Sequence, residues 1–243
     1  MNFLRSAAFN AYFFGVTFIL TLVPASIVRF VAPGRVLDVA RLWARLILGG
    51  LRVICGIRLE VHGVELLPTD RPGLIASRHQ SAFDTIVWIS LLPRCCYVLK
   101  RELLRIPLFG PLIPLTGMIA VDRSGGATAL RGLLREGERA VRERRQIVIF
   151  PEGTRAEPGA ILPLQPGVAA LAAHTGLPVV PVVTDSGLRW GRRAFRKSAG
   201  TIHIRILPPI PAGIGRAALM ARLAVALQSE ADPAVDAVDN SVG

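Results

Sequence analysis

Cysteine is nearly absent from this chain. Cys55, Cys95 and Cys96 make an odd count with two of them adjacent, which excludes a disulfide framework, offers no metal-ligand spacing and points to a reducing setting. Lysine is scarcer still, at Lys100 and Lys197 only, so the net charge of +12 rests on arginine. A balance this basic implies an acidic partner: nucleic acid, anionic lipid or an acidic carrier protein. Nucleic acid is disfavoured, because aromatics make up only 6% of the residues and no nucleic-acid motif is present. There is no GxSxG elbow, Walker loop or HExxH helix, and there are no internal repeats or low-complexity segments. His62, His174 and His203 lie apart without partner spacing and read as structural.

What the chain has in excess is apolar sequence, 51% of 243 residues, enough for one α/β domain with a substantial core plus an appendage. Residues 6–28 carry no charge, and those 23 positions would make a helix of about 34 Å, against a hydrocarbon core of about 30 Å. The length suits a membrane anchor. No clear A-x-A site follows it, which argues against a cleaved signal peptide. Pro24 interrupts the run, so a single span and a monotopic re-entrant anchor are both open. An amphipathic helix is expected over 38–52. Its Asp38, Arg41, Arg45 and Arg52 fall within roughly 60° on a helical wheel, opposite Val39, Leu42, Trp43, Leu46, Ile47 and Leu51. That pattern suits an interfacial helix facing anionic headgroups. Arg29, Arg35, Arg41 and Arg45 place this side in the cytoplasm by the positive-inside tendency, on an inner membrane. The chain thus divides into a membrane-anchoring part (1–56), a catalytic domain (57–230) and a frayed tail (231–243).

From residue 57 strands alternate with helices. Strands are expected at 57–61, 73–76, 95–100, 118–121, 146–150 and 179–183, and helices at 82–92, 127–144 and 167–175, with an edge strand at 201–207 and a closing helix at 216–228. The alternation predicts an α/β fold, a mostly parallel sheet flanked by helices.

Two blocks carry chemistry. In Ser77-Arg78-His79-Gln80-Ser81-Ala82-Phe83-Asp84, five positions separate His79 from Asp84. On a continuous helix they would diverge by about 140°. They meet if His79 lies in the loop before a helix and Asp84 in its first turn, with Ser81 available as a cap. A His held by a carboxylate keeps one tautomer and can act as a general base. The second block is Phe150-Pro151-Glu152-Gly153-Thr154-Arg155. Pro151 stops a buried strand there, which puts the block at the carboxyl edge of the sheet, where α/β proteins bind ligands. Gly153 allows close backbone approach, and Arg155 offers a fork suited to a phosphate.

Between and after these come Lys100-Arg101-Glu102-Leu103 with Ile106-Pro107-Leu108-Phe109-Gly110, then Gly117-Met118-Ile119-Ala120-Val121-Asp122-Arg123, and finally Val180-Pro181-Val182. In this order the blocks, over roughly residues 60–185, resemble the phospholipid/glycerol acyltransferases. The resemblance implies a glycerol-phosphate acyltransferase-like fold. It also implies transfer of a fatty acyl group from acyl-CoA or acyl carrier protein to the sn-2 hydroxyl of a lysophosphatidic acid, with no metal or redox cofactor. His79 and Asp84 would then be catalytic, Lys100, Arg101 and Arg155 would bind the substrate phosphate, and Glu152, Gly153 and Thr154 would form the acceptor site. Two departures stand out: Arg78 replaces the Asn that often precedes the His, and Gln165 lies in a stretch that commonly holds Lys. They leave another lyso-lipid, such as lyso-ornithine lipid, open as acceptor. A non-catalytic basic membrane-binding protein is the distant alternative. The basic run Arg189, Arg192, Arg193, Arg196 and Lys197 is expected at the surface, to hold lipid phosphates or to steer a carrier protein.

Overall fold

The computed structural model describes residues 2–107, 109–122, 125–229 and 231. Leu108 and Arg123 of the quoted blocks, and the tail from 232, lie outside the described residues. The helices are α1 (Asn2–Leu22), α2 (Pro24–Val31), α3 (Val36–Gly50), α4 (Phe83–Leu91), α5 (Gly126–Arg142), α6 (Gly167–Thr175), α7 (Ser186–Arg189) and α8 (Arg216–Ala226). The strands are β1 (Ile57–His62), β2 (Gly73–Ser77), β3 (Cys95–Lys100), β4 (Ile119–Val121), β5 (Gln146–Ile149), β6 (Val179–Thr184) and β7 (Gly200–Ile206).

The strands form one sheet in the order β1-β7-β6-β2-β5-β3-β4. Every neighbouring pair is parallel except β6 with β7. Successive strand residues face opposite sides, so the sheet divides two cores. Ile75, Val148, Val180 and Val182 face a cluster with Phe83, Ile86 and Trp88 of α4. Leu74, Ala76, Ile147, Ile149, Val179 and Val183 face the other, with Leu133 of α5, Leu171 of α6 and Leu223 of α8. Strands buried on both faces explain the unbroken apolar runs that marked them in the sequence. The strand expected at the edge, 201–207, is a correction. β7 lies inside the sheet between β1 and β6, and β1 is the edge. Ile202, Ile204 and Ile206 are buried in alternation, a pattern that fixes which face is covered and carries no information about lateral neighbours.

The apolar leader is two helices rather than one. Pro24, without an N–H to continue the ladder, stands at the start of α2. Phe3–Val31 is the one stretch among the described residues long and apolar enough to cross a membrane. Phe14, Phe18, Ile19, Ile27 and Phe30 point outward, while the opposite side is tied to α3. There Tyr12 Oη donates to the Leu46 carbonyl (2.9 Å) and Trp43 Nε1 to Thr17 Oγ1 (2.9 Å). The apolar positions of α3 also divide. Leu42 and Leu46 are exposed, but Ala44, Ile47 and the following Leu51 are buried against α4 and join the same core as Phe83 and Trp88. The core therefore runs continuously across residue 56.

Candidate active site

Strands β6, β2 and β5 are neighbours and mutually parallel, so their carboxyl ends share one edge. Each is followed there by a segment of the site: 78–84 after β2, 150–156 after β5, and 185–189 after β6. This is the switch point at which chain connections leave the middle of the sheet in both directions.

His79 lies in the loop before α4, and Asp84 in the first turn of α4, as the spacing required. His79 Nδ1 is 3.1 Å from Asp84 Oδ2. The same oxygen accepts the backbone N–H groups of Gln80 (2.7 Å) and Ser81 (2.8 Å), while Oδ1 accepts the Ser186 hydroxyl (2.6 Å). Asp84 is thus an acceptor for four donors, so Nδ1 carries the proton and Nε2 presents a lone pair. Ser81 is no formal N-cap. Its hydroxyl accepts the Phe83 N–H (3.1 Å), and Asp84 reaches back over the loop. Behind the imidazole, the Phe150 ring stacks at 4.1 Å between centroids, and Tyr97 stacks on Phe150 in turn.

The turn after β5 grips His79 by its backbone. Glu152 Oε2 accepts the His79 N–H (2.7 Å), and the His79 carbonyl accepts the Ala156 N–H (2.7 Å). Burial pushes the Glu152 carboxyl up to about 7, although the His79 N–H and the nearby Arg78 charge oppose the rise. Gly153 takes a left-handed φ of 72°, which a side chain would strain. Thr154 is exposed and Arg155 is half-buried. Burial pulls the Arg155 guanidinium below its ordinary value. Asp84 counters this, and Arg192 and Arg193 add to it, so three guanidiniums and the Asp84 charge share one neighbourhood.

His79, Asp84, Glu152, Gly153 and Arg155 are therefore gathered at one edge. Lys100 and Arg101 are exposed at the carboxyl end of β3, two strands from β2 on the same edge of the sheet. The basic run needs a correction. Arg192, Arg193 and Arg196 are exposed, but Lys197 is buried. Lys197 Nζ donates to Asn10 Oδ1 of α1 and to the Phe195 carbonyl, over the rings of Phe9 and Trp190. Ser186 and Tyr97 carried no site signal in the sequence, and Phe150, which opens the second block, gave no sign that its ring would stack on His79. The thiols of Cys95 and Cys96 are fully buried, and burial raises both, that of Cys96 to about 12, which leaves neither as a nucleophile. Of the remaining histidines, His203 is bound by Asp185 (2.8 Å) and His174 by Glu138 (2.8 Å).

Comparison with known proteins bears on the family and the fold. The Acyltransferase family profile matches residues 58–185. A 1-acyl-sn-glycerol-3-phosphate acyltransferase of Pseudomonas aeruginosa is 37% identical over 188 residues, 75% of this chain and 73% of that protein. The human 1-acyl-sn-glycerol-3-phosphate acyltransferase alpha is 32% identical over 206 residues, 82% of this chain and 72% of its own. Among solved structures, the LPA acyltransferase of Thermotoga maritima superposes with a TM-score of 0.74 at 22% identity, covering 94% of this chain and 95% of that one, and so shares its fold. By the extent of the matched profile and the identity to these relatives, the chain belongs to the acyltransferase family.

Proposed function

We propose that this acyltransferase moves a fatty acyl group from acyl-CoA or acyl carrier protein to the sn-2 hydroxyl of 1-acyl-sn-glycerol-3-phosphate, giving phosphatidic acid. The observation that carries the reading is the His79–Asp84 pair, with Nδ1 bound to the carboxylate and Nε2 left with its lone pair. Nε2 takes the hydroxyl proton as the oxygen attacks the thioester carbonyl. The tetrahedral intermediate then expels the thiolate, which recovers the proton from the imidazolium. No bond changes oxidation state, so the reaction calls for no redox cofactor. Arg155, with Arg192 and Arg193 nearby, supplies the charge for the acceptor phosphate, and Lys100 and Arg101 extend that positive edge. Gly153 and Thr154 line the acceptor approach, and Glu152 acts there through the His79 backbone. The Phe3–Val31 stretch holds the domain on the cytoplasmic face of an inner membrane, where lysophospholipid and product reside.

The test is thioester release by the purified full chain in detergent, with lysophosphatidic acid offered against lyso-ornithine lipid. His79→Ala is expected to lower kcat by at least 100-fold while leaving the protein folded. Turnover within tenfold of wild type would remove His79 as the base. Preference for lyso-ornithine lipid would keep the chemistry and change the acceptor. Arg155→Ala is expected to raise the acceptor KM at least tenfold with the donor KM unchanged. A defect confined to the donor would move Arg155 to the phosphates of the CoA or carrier protein.

A further inference from the structure

Asp84 is held asymmetrically. Oδ2 receives three donors, His79 Nδ1 and the N–H groups of Gln80 and Ser81, whereas Oδ1 receives, among the described residues, the Ser186 hydroxyl at 2.6 Å. A carboxylate oxygen has two lone pairs, so three donors crowd one atom. Rotation about Cβ–Cγ is soft and two-fold. Left to itself, the carboxylate would turn to share those donors between its oxygens, and the imidazole contact, the longest of the three, would be the first to lengthen.

Ser186 blocks that rotation from the far side of the site. It lies 102 positions from Asp84, is fully buried and opens α7, directly after β6. Its own N–H donates to Thr184 Oγ1 (3.1 Å), which fixes the residue at the strand end. The next residue fastens α7 to the catalytic loop a second time, because the Gly187 N–H donates to Gln80 Oε1 (3.0 Å). A Cβ at Gly187 would come within 2.9 Å of Pro158 Cγ and 3.1 Å of Gln80 Cβ, so the approach of α7 depends on a residue with no side chain. The Ser186 hydroxyl is engaged and out of substrate's reach, which excludes it as a nucleophile.

We propose that Ser186 is a positioning residue for this acyl transfer, holding the Asp84 carboxylate in the rotation that keeps Oδ2 on His79. The inference rests on the reading of His79 and Asp84 as base and orienter. Ser186→Ala leaves the fold intact, since Ala is smaller and suits a helix, but it frees Oδ1. A hydrogen bond to a charged group corresponds to about 10- to 100-fold in rate. The expected result is a fall of that size in kcat with the acceptor KM within twofold of wild type, in a protein that remains folded at the assay temperature with a melting temperature lowered by a few degrees.

A double-mutant cycle with Asp84→Asn gives the decisive readout. If Ser186 acts through Asp84, adding Ser186→Ala to Asp84→Asn costs less than about threefold further in kcat. Three outcomes overturn the proposal: Ser186→Ala with near-normal kcat, a loss confined to KM, or a loss that multiplies in full on the Asp84→Asn background. A near-normal Asp84→Asn enzyme would instead sink the underlying reading of the pair, and His79→Ala would show whether the base falls with it.

Discussion

At the scale of single residues, Glu152 sets a testable pH dependence. Its carboxyl stands near 7 in the fold and near 4.5 as an ordinary glutamate. The folded chain therefore holds the proton more tightly, and the stability this gives is present in full below about 4.5 and is lost as pH rises through about 7. Each pH unit in that window is worth ~1.4 kcal/mol at most. Glu152→Gln has no proton to lose. Relative to wild type it should gain melting temperature between pH 5 and pH 8, and parallel curves across that range would show that Glu152 does not titrate there. His79 and Asp84 were legible in the sequence because five positions of loop and helix turn bring them together locally. The Glu152 bond to the His79 N–H spans 73 positions and the Ser186 bond to Asp84 spans 102, and no local spacing encodes either. The Glu152–Arg155 block itself was legible as a strand end, because Pro151 cuts off an apolar run.

Among the elements, α3 is the one whose role the structure redistributes. The charged stripe of Asp38, Arg41 and Arg45 was visible on a helical wheel, and Asp38 does pair with Arg41 (3.0 Å). The wheel could not show that the opposite face is shared, with Ile47 buried on α4 and Leu42 left outside. Ile47→Ala should therefore cost about 2–5 kcal/mol, as a large-to-small core change does, while Leu42→Ala in detergent should stay within about 0.5 kcal/mol. Denaturant unfolding of the two variants checks the contrast, and equal costs would mean that α3 does not dock on the core as described. The strands were legible from their apolar runs, and their order was not, because sequence pattern records which faces are covered and is silent on which strand lies beside which. That is why β7 was expected at the edge and lies inside it.

For the whole molecule, the leader and the catalytic fold share one core. Phe9, Ala44, Ile47, Leu51 and Cys55 pack with Phe83, Trp88 and Val182. Deleting residues 1–56 would uncover that face of the sheet, so the truncated chain is expected to aggregate, and restoring 36–56 alone should recover part of its solubility. A soluble, monomeric and cooperatively unfolding 57–243 fragment would contradict this. Lys197→Met is the milder test, since it keeps the aliphatic stem and loses the bonds to Asn10 and the Phe195 carbonyl. Limited proteolysis should then cut within α1 faster than in wild type, with no change in cutting at α6.

The Lys197 contact with Asn10 joins positions 187 apart, and Phe9, fully buried, rests against Trp190. Asn10 and Phe9 leave the ribosome well before Trp190 and Lys197. At 5–20 residues per second, α1 waits about 10–40 s for the segment that covers it. Throughout that interval Asn10 lacks its Lys197 partner and the Phe9 ring lacks Trp190, while α3 can already dock on Tyr12 and Thr17. A nascent chain halted before residue 190 carries α1 seated on α3 alone, so the part of α1 that Trp190 and Lys197 cover is left to lipid or a chaperone until the far end of the domain arrives.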